Sequence, residues 1–216
     1  MVVIAFAQTQ GLGMENNRWL SESGKNLTCS ILLDPVFLRA DQQFILNKII
    51  SLSVYDLVKS YIIREKVNIK WPNDIYIQDK KVAGILISNI IEGNKFIHAI
   101  VGIGLNINQV KFPVNLINPT SFELVLKKNT DVERVFSSLL SNLENRYNQL
   151  KNNEFTTIHD DYLNALYRLN ERHFYIYRGE KISAEISGVS PFGHLQLLTS
   201  DSAIIECDLK EIEFII

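Results

Sequence analysis

The chain has 216 residues, enough for one substantial core and a small second domain, and its 46% hydrophobic and 21% charged content is that of an ordinary globular protein. A net charge of −2 supplies no basic field for nucleic acid, and no apolar run reaches the roughly 18 residues of a membrane span. The two cysteines, Cys29 and Cys207, lie far apart in apolar runs, which suits buried thiols in a reducing compartment; with no basic leader in "MVVIAFAQTQG", the expected location is cytoplasmic.

Val2 to Gln8 and Leu27 to Leu33 read as short strands joined by a polar, glycine-containing loop. Asp34-Pro35 carries the signal of a helix start, with Asp34 as cap, and Gln42 to Ile62 shows helical apolar spacing. Strand character returns at Val67 to Trp71 and Ile75 to Gln78, then in Val82 to Ile91 and Lys95 to Ile107, joined by a Glu92-Gly93-Asn94 turn. Thr130 and Glu133 have capping-box spacing ahead of a strongly amphipathic helix, and a second helix is expected over Ile158 to Leu169. After Asn170 come short alternating strands punctuated by glycine turns, the grammar of a small barrel. This divides the chain into residues 1–170 and 171–216.

Few segments carry recognisable chemistry. In "KWPND" Asn73 and Asp74 sit at a strand end, where a simple turn with Trp71 in the core is the blander explanation. Lys80 and Lys81 equally suit a solubilised sheet edge. However, Ala83 and Gly84 strip the following strand of bulk, leaving room for a ligand to approach. Gly102, Gly104 and Asn106 fall on one face of "VGIGLNIN", a flat floor or a site of tight sheet packing. The spacing fits neither a dinucleotide fingerprint nor a Walker loop, and the four histidines lack metal-ligand spacing.

Taken in order, "QTQG", "SGKNLTCSILL", "KWPNDIYIQDKKVAGIL" and "VGIGLNIN" resemble the biotin protein ligases, of the monofunctional type. The resemblance implies an α+β fold. A mixed, largely antiparallel central sheet with helices, like that of class II tRNA synthetases, is followed by a small C-terminal SH3-like β-barrel. It implies ATP-dependent formation of biotinyl-5′-AMP, then transfer of biotin to a lysine of the biotin carboxyl carrier domain of acetyl-CoA carboxylase or a related carboxylase. Mg²⁺ would accompany ATP.

By position, the resemblance makes Lys81 and Asp74 catalytic, with Lys81 touching the biotin carboxylate and the α-phosphate. It places Gln8, Gly11, Leu86, Gly102 and Gly104 around biotin, and Lys70, Trp71, Asn73, Asp74, Asn106 and Arg18 around the nucleotide, with Asp74 toward Mg²⁺. Family members often pair sheets side by side, so a homodimer is one expectation.

Two departures qualify the likeness. The family's glycine- and arginine-rich loop aligns with Gly11-Leu12-Gly13-Met14-Glu15-Asn16, which has no arginine and adds an acid at Glu15. Each missing charge-assisted hydrogen bond is worth about 1.5–3 kcal/mol. The family's Ser-Thr-Asn element and N-terminal winged-helix domain have no counterpart in these residues, so operator binding is not expected. Two alternatives stay open: a relative that binds biotin, nucleotide or carrier without turnover, and a ligase for another acyl group such as lipoate.

Overall fold

Alternating side chains along two long strands build the centre of the molecule, a computed structural model that describes residues 1–13, 18–114 and 116–216. Strands β1 (Val2–Ile4), β4 (Leu27–Leu33), β5 (Val67–Lys70), β6 (Asp74–Ile77), β7 (Lys80–Glu92) and β8 (Lys95–Leu105) form a six-stranded sheet in the order β1-β4-β8-β7-β6-β5. Its pairings are antiparallel, and Glu92-Gly93-Asn94-Lys95 closes the expected hairpin between β7 and β8. Within the loop before β4, β2 (Gly11–Leu12) and β3 (Arg18–Trp19) pair as a small separate ribbon. The expected first strand is shorter than Val2 to Gln8, ending at Ile4.

One face of the sheet is covered by helices α1 (Gln43–Tyr61) and α3 (Val132–Lys151), and the short α2 spans Phe122–Leu126. Helix α1 buries Leu46, Ile49, Leu52, Val54 and Leu57 around most of its circumference, as a central core helix must. It begins at Gln43 rather than at Asp34, which instead accepts a hydrogen bond from His98 Nδ1 across 2.6 Å. Helix α3 is capped by Asp131, whose carboxylate accepts from the Glu133 and Arg134 amides, and not by Thr130. The backbone of Thr130 is engaged at both ends by the Asn108 amide, leaving the neighbouring carboxylate to cap. Helix α4 covers Phe155–Asn164, earlier than the expected Ile158 to Leu169, because Tyr167 has turned to hydrogen-bond Ile69 in β5.

Strands β9 (Arg172–Tyr177), β10 (Glu180–Val189), β11 (Leu195–Thr199), β12 (Ile204–Cys207) and β13 (Ile212–Phe214) form a five-stranded antiparallel sheet, ordered β12-β11-β10-β9-β13, in the manner of a small SH3-like barrel. Cys207 is buried here and Cys29 in β4, and both are free thiols. The two sheets meet through specific ties. Trp71 Nε1 donates to the Gly193 carbonyl at 2.9 Å, and the Phe44 ring packs so tightly under Gly193 that a Cβ there would lie 2.3 Å from it. Among the described residues, no helix is long and apolar enough to cross a membrane.

Candidate active site

A break in strand parity sets the direction of Lys81. Tyr76 pairs with Lys81 but Ile75 pairs with Ala83, so Val82 is an extra residue in β7. Such a bulge shifts the face on which the preceding side chains emerge. Strict alternation would send Lys81 to the core face with Ala83 and Ile85, which are 0% and 4% exposed. Instead its ammonium lies on the open face, where a Cβ on Gly84 would meet Lys81 Nζ at 3.3 Å. There Lys81 Nζ pairs with Asp74 Oδ2 at 2.7 Å, both side chains remaining partly exposed. The lysine backbone is fixed from the other side: its amide donates to Asn118 and its carbonyl accepts from Thr120.

The open face is bare because glycines meet across strands. Gly84 pairs with Gly104 and Leu86 with Gly102, which opens a cavity of about 450 Å³. Gln8, Arg18, Asp74, Lys81, Leu86, Gly102 and Gly104 all line it. Gly11 lies behind that wall: a Cβ on it would fall 2.8 Å from Gln8 Oε1 and 2.4 Å from the Trp19 carbonyl. Leu12 and Gly13 reach the rim, while Met14, Glu15 and Asn16, part of the arginine-poor loop, lie outside the described residues.

Trp19 was not singled out by sequence reasoning, yet its indole lies flat on the floor. A Cβ on Gly104 would be 2.2 Å from Trp19 Cε2, so only glycine admits the ring. The indole Nε1 is buried without an acceptor. A tryptophan in β3 and a glycine pair between β7 and β8 make a usable signal only once the pairing is known. Thr28, Ser30 and Ser88 add hydroxyls to the same wall. Cys29 also borders the cavity, but burial pushes its thiol up to about 12, which keeps it protonated and unreactive.

Four expected nucleotide residues lie away from this cavity. Trp71 belongs to the core, 5% exposed and tied to Gly193. Asn73 is 2% exposed, and its Oδ1 has no partner. Asn106 donates from Nδ2 to the Thr120 carbonyl at 3.0 Å, and its Oδ1 is likewise buried and unpartnered. Lys70 pairs across the β5–β6 hairpin with Asp74 by register, and burial lowers its pKa, against which the Asp74 charge acts. Two orphaned amide oxygens and a half-buried amine beside a partly exposed Lys–Asp pair suit a ligand with both donors and anionic groups. Among the described residues, no cluster of three or more His, Cys, Asp or Glu side chains forms a ready-made metal cage.

Residues 1–106 match the model of the biotin/lipoate A/B protein ligase family. Over 161 residues the chain is 32% identical to the bifunctional ligase/repressor of Bacillus subtilis (strain 168), covering 73% of this chain and 49% of that one. The chain belongs to the biotin protein ligase family. Among solved biotin protein ligases, that of Aquifex aeolicus in complex with biotin and ATP superposes with a TM-score of 0.80 at 27% identity, covering 98% of this chain and 87% of that one. The biotin–[acetyl-CoA-carboxylase] ligase of Mycobacterium tuberculosis is 29% identical over 154 residues, which cover 70% of this chain and 56% of that one. The chain spans about half the length of the curated ligase/repressors it matches.

Proposed function

We propose that this chain is an ATP-dependent biotin–[acetyl-CoA-carboxylase] ligase. The observation that carries the reading is Lys81, turned by the Val82 bulge onto a glycine floor and held 2.7 Å from Asp74. In the first step a biotin carboxylate oxygen attacks the α-phosphorus of Mg-ATP. The bond to the bridging oxygen breaks and pyrophosphate leaves. The Lys81 ammonium, a fixed charge in a partly enclosed site, offsets negative charge developing on the α-phosphoryl oxygens. In the second step a lysine amine of the carrier domain attacks the mixed-anhydride carbonyl, AMP leaves, and the amine gives up a proton.

Residues Gln8, Leu86, Gly102 and Gly104 form the biotin trough in this reading, with Gly11 packed behind Gln8, and Arg18, Lys70, Asn73, Asp74 and Asn106 form the nucleotide side. Trp71 supports that side from the core through its tie to Gly193. Asp74 with the Asn73 amide oxygen offers the hard donors that Mg²⁺ accepts alongside phosphates and water. We read residues 1–170 as the catalytic domain and 171–216 as the barrel domain, in a cytoplasmic protein acting on a carboxylase carrier domain. Side-by-side pairing into a homodimer fits the family.

The decisive assay is pyrophosphate release with biotin and ATP. Biotin-dependent release that lipoate does not support upholds the reading, and its absence sinks it. One observation favours a weaker adenylate grip: Leu12, 75% exposed at the cavity rim, stands where the family's loop carries arginine. Leu12→Arg is therefore expected to slow biotinyl-5′-AMP dissociation by about tenfold, as one charge-assisted hydrogen bond would. An unchanged off-rate removes the loop from the account.

A further inference from the structure

Lys70 is the cation that the cavity leaves out. It sits at the end of β5, beyond the Lys81–Asp74 pair as seen from the glycine floor, and it is not among the cavity's lining residues. Among the described residues it has no carboxylate within ion-pair distance, because Asp74 is engaged by Lys81. Its ammonium rests instead on aromatic faces, 4.5 Å from the Phe214 ring centroid and 5.8 Å from that of Tyr76. Phe214 belongs to β13, in the C-terminal sheet. It is itself immobilised by an edge-on contact with Tyr175 at 5.3 Å and by stacking with Tyr167 at 6.4 Å.

More positive charge gathers at this junction. Arg168 lies over the Tyr167 ring and donates to the Ile215 carbonyl at 2.9 Å; burial first, then the charges of Lys81 and Arg168, act against protonation of Lys70, and the Asp74 carboxylate, shared with Lys81, is the one charge that favours it. A half-buried ammonium that shares one carboxylate with two other cations is poorly placed unless something holds it or an anion completes the set. The aromatic face does the first, since a ring quadrupole attracts a cation most strongly where water is excluded. The unmatched charge calls for the second. Biotin's single carboxylate is satisfied at Lys81, so an anion reaching Lys70 as well must extend past it, as a polyphosphate does.

We propose that Phe214 is a positioning residue that holds the Lys70 ammonium against the β- and γ-phosphates of ATP, so that the C-terminal sheet completes the subsite from which pyrophosphate leaves. This rests on the ligase reading above. The test compares Phe214→Leu, which removes the π-face but keeps apolar bulk, with Phe214→Tyr, which keeps the face. Both are made in the full chain, and Lys70→Met is made alone and combined with Phe214→Leu.

In biotin-dependent ATP–pyrophosphate exchange, Phe214→Leu is expected to raise KM for ATP and for pyrophosphate about fivefold, the weight of one partly solvated cation–π contact. The KM for biotin and kcat should stay within about twofold, the limit for an effect confined to ground-state phosphate binding. Phe214→Tyr should behave as the parent, and the double variant should be no worse than Lys70→Met. Equal effects on ATP and biotin, unchanged KM for ATP, or additive losses in the double variant each overturn the proposal.

Calorimetric titration with inorganic pyrophosphate needs no turnover and separates the two readings. If the parent chain shows no exchange, the ligase reading fails, while a fivefold weaker pyrophosphate affinity in Phe214→Leu still upholds the subsite. Parent-like pyrophosphate affinity in Phe214→Leu overturns it. Should Phe214→Leu not fold, Phe214→Met replaces it with the same expected outcomes.

Discussion

Strand β8 presents two different surfaces on one backbone. Val101, Ile103 and Leu105 point into a helix-covered core, where Val101 and Leu105 are fully buried. Gly102 and Gly104, one residue out of step, leave the opposite face bare for Trp19 and the cavity. The first face gains stability by excluding water and filling space; the second forgoes that gain to leave room for something else. Substitutions on the two faces should therefore separate activity from stability, and the following outcomes test how clean that separation is.

The largest effect is expected at Lys81. Its replacement by alanine should lower biotin-dependent pyrophosphate release by about 10²–10³-fold, the cost of one preorganised charge. The thermal midpoint should hardly move, because the lysine is partly solvated. Near-parental turnover would take Lys81 out of the mechanism. Next is Leu105→Ala, expected to reduce unfolding free energy by about 2–4 kcal/mol in denaturant titration, with KM values little changed. A selective loss of ligand affinity there would show that the two faces are coupled.

Gly104→Ala is smaller and falls on the other side. A Cβ 2.2 Å from the indole forces Trp19 off the floor, and KM for biotin should rise about tenfold. A normal KM would mean that Trp19 is not part of the trough.

The least effect concerns a buried cation on the core side. Lys48 of α1 is 4% exposed, its Nζ 2.6 Å from His159 Nδ1, and burial lowers its pKa from 10.5 to about 8. Between those values the unfolded chain binds more protons, so stability rises with pH; below about 8 the burial cost is fully present. Lys48→Met should thus stabilise the protein at pH 7 by about 1 kcal/mol, with the gain fading as pH climbs toward 10.5. A stabilisation independent of pH would show that packing, not charge, is responsible.

Much of this was legible in the sequence because periodicity reports burial. The β7–β8 hairpin, α1 and α3 follow from apolar spacing, and the "KWPND…VAGIL…GIGLN" order pointed to the family whose fold and relatives match. Local chemistry misled where tertiary contacts outbid it. Asp34 looked like a cap but serves His98, and Thr130 looked like a cap but is held by Asn108. Trp19 and the Gly84–Gly104 pairing could not be read at all, since both depend on which strand lies beside which. Likewise the contact of Lys70 with Phe214 joins residues distant along the chain, which no spacing rule connects.

The extra residue at Val82 has a consequence for how this site can change over generations. Substitutions alter side chains but leave strand parity alone, so the charge at position 81 can be exchanged gradually. Deleting the single codon for Val82 would leave Lys81 next to Ala83, still on the opposite face, with its pairing to Tyr76 intact. The loss would be the local twist with which the bulge aims the ammonium at Asp74. A one-residue shortening of β7 at this point is therefore expected to misaim the lysine while the packing beside Ile85 survives.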